Sequence, residues 1–187
     1  MSKKWDLMAT NKVRTAPAWS EVKAKLALFD RAGLVGLLSD LHSLSRENQA
    51  FLHARLGLGP DPLAPYKATI ARWICPDVIR GQAISVAKAK KAISDYRKAI
   101  GLPAGVAELS VFYCESAAQL LSKCGVEDEG YFAALVRMFD QALAVVAKLH
   151  PSEQKTLLQR LDAVRSATDA IGWGVKDAID ELWAEHV

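Results

Sequence analysis

The lysines and arginines in the middle of the chain are the residues whose number and spacing best suggest a chemical role. Eight bases and two acids lie between positions 67 and 98, which gives this range a net charge of +6. Several bases fall on the side of a predicted helix, residues 86–100, opposite its apolar stripe. The candidate contacts are Lys88, Lys91, Arg97 and Lys98. Because a cationic helix face can neutralise phosphates without reading a base sequence, one hypothesis is that this face binds nucleic acid or another polyanion.

The alternative is that these side chains only solvate the outer face of a helix, since every surface helix carries charge there. No aromatic residue falls within the basic stripe to stack on bases, and no helix-turn-helix pattern is evident. The net charge of the whole chain is only +3, which by itself implies no nucleic acid. Both interpretations therefore stay open.

The four histidines of the chain predict no metal site. They lie on different predicted helices, and none is paired at the spacing that places two ligands on one helix face. Cys114 and Cys124 are ten residues apart, about 15 Å along one helix, which is too far for a shared ligand set or a disulfide. The sequence therefore predicts free cysteines, no metal and no cofactor.

The most unusual tetrapeptide is Phe112-Tyr113-Cys114-Glu115. A cysteine beside an acid can act as a nucleophile when a histidine lies close in space. Cys114, however, falls in the middle of a predicted helix among core-like residues, where no helix dipole lowers a thiol pKa. We therefore predict no catalytic residue here, and we expect Glu115 to form a structural salt bridge with a lysine of the helix at 86–100.

Three hypotheses for the function follow from these residues. The first is a non-enzymatic helical scaffold that binds a protein partner or a second copy of itself, with Trp173 and Trp183 as candidate interaction residues beside an apolar surface patch. The second is polyanion binding through the helix at 86–100. The third is an enzyme whose site forms only in space, in a pocket that joins Glu115, Tyr113 and a histidine.

The elements that must position these residues are all predicted to be helices, about nine in number. The clearest amphipathic pattern is that of the helix at 86–100, which Ser85 caps and Gly101 ends. A second stripe of leucines defines an earlier helix: Leu34, Leu37, Leu38 and Leu41. Because the connections are short, we expect stacked antiparallel α-hairpins, as an irregular bundle or a short HEAT-like array.

The domain organisation is predicted to be simple. Residues 1–14 carry four bases and one acid and are expected to form a flexible basic arm. Residues 15–187 are expected to form a single all-helical domain. Three widely spaced cysteines and the lack of an evident secretory or membrane-spanning segment favour a cytoplasmic location and no membrane contact.

Several segments resemble a small family of bacterial proteins of unknown function. They are Leu37 to Leu41 with Phe51-Leu52, Ser85 to Ile100, Ala107 to Glu115, and the tail Ile171 to Gly174 with Asp177. The resemblance covers about residues 34–143 and the tail segment. It implies an all-helical cytoplasmic protein and carries with it no catalytic or binding residue.

Overall fold

A computed structural model describes residues 17–59, 61–169, 171–172 and 174–187 of the chain. The basic arm predicted for residues 1–14 and the candidate interaction residue Trp173 lie outside these ranges. The described residues form nine α-helices and no strand, which confirms the predicted all-α class. The helices are α1 (Trp19–Leu26), α2 (Arg31–Leu44), α3 (Arg46–Arg55), α4 (Ala64–Ile74), α5 (Val86–Ala99), α6 (Pro103–Cys124), α7 (Glu129–Val146), α8 (Pro151–Ala167) and α9 (Val175–His186).

Side-chain caps and one glycine set several helix ends. Asp30 accepts a hydrogen bond from the backbone amide of Gly33 at 2.7 Å and starts α2. Ser85 caps α5 as predicted, and Asp128 caps α7 through the amide of Tyr131 at 2.8 Å. Gly125 ends α6 in the left-handed conformation (φ 55°), which a residue with a Cβ adopts only at a cost.

Contacts within the chain divide it into two compact units, residues 1–46 and 47–187. The sequence offered no signal for a boundary at residue 46, since no long linker or change of composition marks it. A single domain over residues 15–187 therefore stays a prediction, and each unit is described by itself below.

Besides α3, which belongs to it from Glu47 onward, the second unit contains three helix pairs. Consecutive helices pack together as α4 with α5, α6 with α7, and α8 with α9. The first helices of the pairs also pack in order, α4 on α6 and α6 on α8, and α7 packs on α9. This order of contacts is that of stacked helical hairpins, in agreement with the predicted architecture.

Helix α6 lies at the centre of the second unit and contacts α4, α5, α7 and α8. Apolar side chains on several of its faces are fully buried, among them Leu109, Val111 and Tyr113. Gly105 allows α5 to approach closely, because a Cβ at this position would overlap the hydroxyl of Tyr96. Because apolar side chains of α6 point to several sides, other helices must cover it on those sides, and α6 holds the stack together in this way.

The first unit is different, because neither α1 nor α2 buries a single residue. Its apolar side chains are nevertheless large and numerous: Trp19, Val22, Leu28, Phe29, Leu34, Val35, Leu37, Leu38, Leu41 and Leu44 are all exposed. A search of the described residues finds no helix with the length and apolar character needed to cross a membrane.

Candidate functional site

The basic side chains of α5 point outward, as the sequence predicts. Ala89, Ile93 and Tyr96 are buried on one side of the helix. Because the stripe residues fix which side faces the core, the candidate contacts fall on the exposed side. All four are exposed: Lys88, Lys91, Arg97 and Lys98.

The structure separates these four bases into different surroundings. The Nζ atom of Lys88 lies 3.9 Å from the ring centroid of Trp73 in α4, and the guanidinium of Arg72 lies 4.5 Å from the same ring. Lys91 pairs with Asp95 one turn later at 2.5 Å, in an exposed contact that stabilises the helix little. Lys88 and Lys91 therefore already have partners within the chain.

Trp73 is the residue that sequence reasoning missed in this region. We expected no aromatic side chain at the basic stripe, and the structure places the half-buried indole of Trp73 beside it. The backbone amide of Ser85 donates to the carbonyl oxygen of Trp73 at 2.9 Å, so the start of α5 is fixed to the end of α4. The available signal was that the two helices are consecutive in the chain, since consecutive elements are usually neighbours even across the eleven residues that separate these two.

A groove of about 320 Å³ opens between α5 and α7. Its apolar residues, Ile93 and Met138, are buried side chains. The other residues that line it are Lys90, Lys91, Ser94, Arg97 and Gln141, and no carboxylate is among them. Two of the predicted bases, Lys91 and Arg97, thus come together here with Lys90, whereas Lys88 and Lys98 do not line the groove.

Glu115 has a different partner from the one expected. It accepts two hydrogen bonds from the guanidinium of Arg160 in α8, both at 2.7 Å, so the prediction of a lysine of α5 as its partner is wrong. Arg160 also contacts Glu108 at 2.5 Å, and Glu108 contacts Lys67 of α4 at 2.8 Å. The carboxylate of Glu115 could not reach α5, because it faces the α8 side of α6.

These four residues form a charged network that joins α4, α6 and α8 on one side of the stack. Burial raises the pKa of Glu108, but the hydrogen bonds from Arg160 and Lys67 outweigh it, and the pKa lies below its usual value. The bonds to Glu115 in turn raise the pKa of Arg160. The arrangement is that of a structural ion network, in which both carboxylate oxygens of Glu115 accept hydrogen bonds.

Tyr113 and Cys114 are buried in the core of the stack. Burial raises the pKa of the Cys114 thiol and of the Tyr113 phenol far above their usual values. The Tyr113 hydroxyl has no hydrogen-bond partner among the residues that the structure describes. Arg160 donates hydrogen bonds to both carboxylate oxygens of Glu115, so Tyr113 and Glu115 do not form an acid–base pair. Among the described residues no group of three or more histidines, cysteines or carboxylates could hold a metal ion.

Trp183 packs within its own chain. Its ring is half-buried, 6.5 Å from the ring of Phe139, and the guanidinium of Arg165 lies 5.3 Å from it. Asp180, one turn earlier in α9, also bonds to Arg165, at 3.2 Å. An apolar patch around Trp183 is thus largely filled by residues of α7 and α8.

The apolar surface of this protein lies instead in its first third. Of sixteen large hydrophobic side chains that are exposed in the described residues, thirteen lie between Trp19 and Leu58. On α2 five leucines recur at helical spacing and form one stripe, which we name the leucine face: Leu34, Leu37, Leu38, Leu41 and Leu44. Their exposed fractions range from 37% at Leu34 to 73% at Leu44.

Comparison of the chain with protein-family models, with curated proteins and with solved structures found no match in any of the three. The resemblance to a family of bacterial helical proteins therefore stays a prediction.

Proposed function

We propose that this protein is a non-enzymatic interaction module, and that the leucine face of α2 is the surface with which it binds another polypeptide. The observation that carries the proposal is the contrast between the two units. The second unit buries most of its large apolar side chains in a continuous core, with Phe51, Leu56 and Leu58 among the exceptions. Helices α1 and α2 bury none, although the leucines of α2 recur at helical spacing.

The extent of the apolar surface supports a binding role. With the ordinary areas of leucine, valine and aromatic side chains, the leucine face exposes on the order of 500 Å², and α1 and α2 together on the order of 1,000 Å². The largest apolar patch of a typical monomer is about 300–600 Å² and is often functional. A single exposed leucine needs no explanation, but a stripe of five on one helix is typical of a buried contact.

The spacing of the leucines indicates what kind of surface fits them. Leu34, Leu37, Leu41 and Leu44 follow steps of three, four and three residues, which is the a and d pattern of a coiled-coil seam. Such a seam packs against another helix, whose side chains enter the holes between the leucines. We therefore propose a helical partner rather than an extended peptide.

A photo-crosslinking amino acid placed at position 38 tests this proposal. Leu38 lies on the leucine face, and Val35 lies on the same helix about 120° from the centre of the stripe, at 59% exposure. We expect intermolecular adducts in the host cell from position 38 and far fewer from position 35. Equal adducts from both positions, or none from position 38, would show that the leucine face is not a docking surface.

The groove between α5 and α7 favours a second candidate function, the binding of a polyanion. Three cations line it and no carboxylate does; Lys91 pairs with Asp95 outside the lining, and none of the ion pairs of the described residues involves Arg97. Phosphates held by such cations release counterions, so the affinity must fall linearly with the logarithm of salt concentration. This candidate function retains Lys91 and Arg97 from the polyanion-binding residues predicted from the sequence, and it adds Lys90 as a third contact.

Titration of a fluorescent single-stranded oligonucleotide at several salt concentrations tests the second candidate. Exchange of both Lys90 and Arg97 for glutamate is expected to weaken binding and to lower the salt slope by about 1 to 2. The matched control is exchange of both Lys148 and Lys155 for glutamate, which changes the net charge equally at two exposed lysines that do not line the groove. If the control weakens binding as much as the double variant does, the effect is one of net charge and not of the groove.

A further inference from the structure

We infer that the leucine face binds the leucine face of a second copy of this chain, so that the protein forms a dimer with two-fold symmetry through α2. The inference rests on the proposed function and names the partner of the same surface. Three features of the described residues carry it: the seam pattern, the charge of α2 and the area.

The first feature is the spacing of the leucines on α2, which is the spacing that a helix packed against them would also need. Leu34, Leu37, Leu41 and Leu44 repeat every three and four residues, and a helix with this pattern pairs best with a helix of the same pattern. Beyond Leu58, the exposed large hydrophobic side chains among the described residues are single and far apart: Ile79, Leu102 and Val187. The leucine face of a second copy therefore offers, among the described residues, a stripe with the same spacing over the full length of the seam.

The second feature is the charge of α2. Apart from His42, the helix has one base, Arg31, near its first turn and one acid, Asp40, in its second half, so its net charge is zero. Neither lies within the stripe of leucines. Two copies of the helix can therefore meet along the leucine face without burying a charge and without repulsion between like net charges.

The third feature is the area. The leucine faces of two copies together hold on the order of 1,000 Å² of exposed apolar surface, which is about the smallest area of a specific interface. Trp19 at the start of α1, and Leu28 and Phe29 between α1 and α2, are further exposed apolar side chains of the same unit. A two-fold contact covers the same face on both chains at once, so one contact removes the exposed leucines of both.

We expect a dissociation constant in the micromolar range, because the contact is near the lower limit of specific interfaces and the cost of association takes up much of the gain from the buried area. Sedimentation equilibrium of the purified full-length chain from about 1 to about 200 µM measures it. We expect the mean mass to rise from that of one chain to that of two over this range.

Two substitutions on α2 test the surface. Leu38→Glu is expected to raise the dissociation constant about 100-fold, because a two-fold contact loses the buried side chain twice. Val35→Glu introduces the same charge on the same helix, away from the leucine face, and is expected to leave the constant within about threefold. Circular dichroism of both variants should match the wild type, since α2 buries no residue. A dimer that Leu38→Glu leaves intact overturns the inference, because it must form through another surface.

Amide hydrogen exchange of α2, measured on the same samples, separates failure of this inference from failure of the proposed function. A monomer at every concentration with rapid exchange in α2 overturns the second copy as partner and leaves the leucine face open to a different protein. A monomer with strong protection in α2 overturns both, because the face is then covered within one chain. A dimer whose formation slows exchange in α2 supports both.

Discussion

Replacement of Arg160 by methionine gives a direct measure of how much the charged network stabilises the stacked helices. Methionine keeps most of the alkyl volume and removes the guanidinium. Glu115 then loses both of its hydrogen bonds, and Glu108 keeps only Lys67. The alkyl contacts change little, so the loss is one of charge pairing.

The expected size of the effect follows from the exposure of the network. Its side chains are 23–34% exposed, between the limits of a surface pair and of a buried one. Exposed pairs contribute about 0–1 kcal/mol, and loss of one partner of a fully buried pair costs about 3–5 kcal/mol. An intermediate position predicts a loss of about 2 kcal/mol in the free energy of unfolding for Arg160→Met, or a fall of about 6 °C in Tm.

Urea unfolding followed by circular dichroism measures this loss, with Lys155→Met as the matched control. Lys155 lies on the same helix, is exposed and is outside the network, so its replacement should change stability by less than about 0.5 kcal/mol. Equal stability of Arg160→Met and Lys155→Met at neutral pH would refute the reasoning that the network joins the three helices.

The pH dependence of the same pair of variants supplies a second check. Arg160 and Lys67 hold the pKa of Glu108 below its usual value. The stabilisation is therefore fully present above the unfolded-state pKa and is lost as the pH falls through the lower pKa of the folded state. The difference between wild type and Arg160→Met should shrink as the pH falls from about 5 to about 3. A difference that grows in acid would contradict this sign.

Three further outcomes follow from the core. Gly105→Ala should lower the free energy of unfolding by about 1–3 kcal/mol, because its methyl group meets the buried ring of Tyr96; a neutral effect in urea unfolding would mean that α5 and α6 separate easily. Tyr131→Phe should cost about 1–2 kcal/mol in the same assay, since its buried hydroxyl donates to a backbone carbonyl, and a gain in stability would contradict that bond. A maleimide reagent with peptide mass analysis should modify exposed Cys124 quickly and buried Cys114 only in denaturant; rapid labelling of native Cys114 would contradict its burial.

The sequence predicts α5 well because its local signals agree. Apolar residues at three- and four-residue steps, a serine cap and a glycine at the end define the helix without reference to the rest of the chain. The outward direction of Lys91 and Lys98 follows from the same pattern. The groove beside α5 does not, because it depends on Met138 and Gln141, which lie more than forty residues later.

The partner of Glu115 shows where sequence reasoning stops. A carboxylate expected to be half-buried in the middle of a helix predicts a cationic side chain nearby. Which residue supplies that cation depends on which helix packs on that side. Arg160 lies 45 residues away in α8, and no periodicity connects the two positions. Local patterns predict which residues share a helix face. Which faces of different helices come into contact depends on how the helices pack.

The leucine face was visible in the sequence, but its surroundings were not. The sequence predicts one stripe of leucines on a helix: Leu34, Leu37, Leu38 and Leu41. It predicts the apolar patch for a partner elsewhere, near Trp173 and Trp183. A stripe that faces a core and a stripe that faces a partner have the same period. Only the exposed fractions of the leucines in the folded chain distinguish the two.

The hydroxyl of Tyr131 has a consequence for the order in which the protein folds. It donates to the carbonyl oxygen of Ile74 at 2.6 Å, across 57 positions of the chain. Ile74 is the last residue of α4, where carbonyl groups lack partners within the helix. During synthesis water must therefore donate the hydrogen bond to this carbonyl oxygen until α7 has left the ribosome and docked. The α4–α5 pair, which is synthesised before α7, thus completes the hydrogen bonding of its first helix only when that later helix arrives.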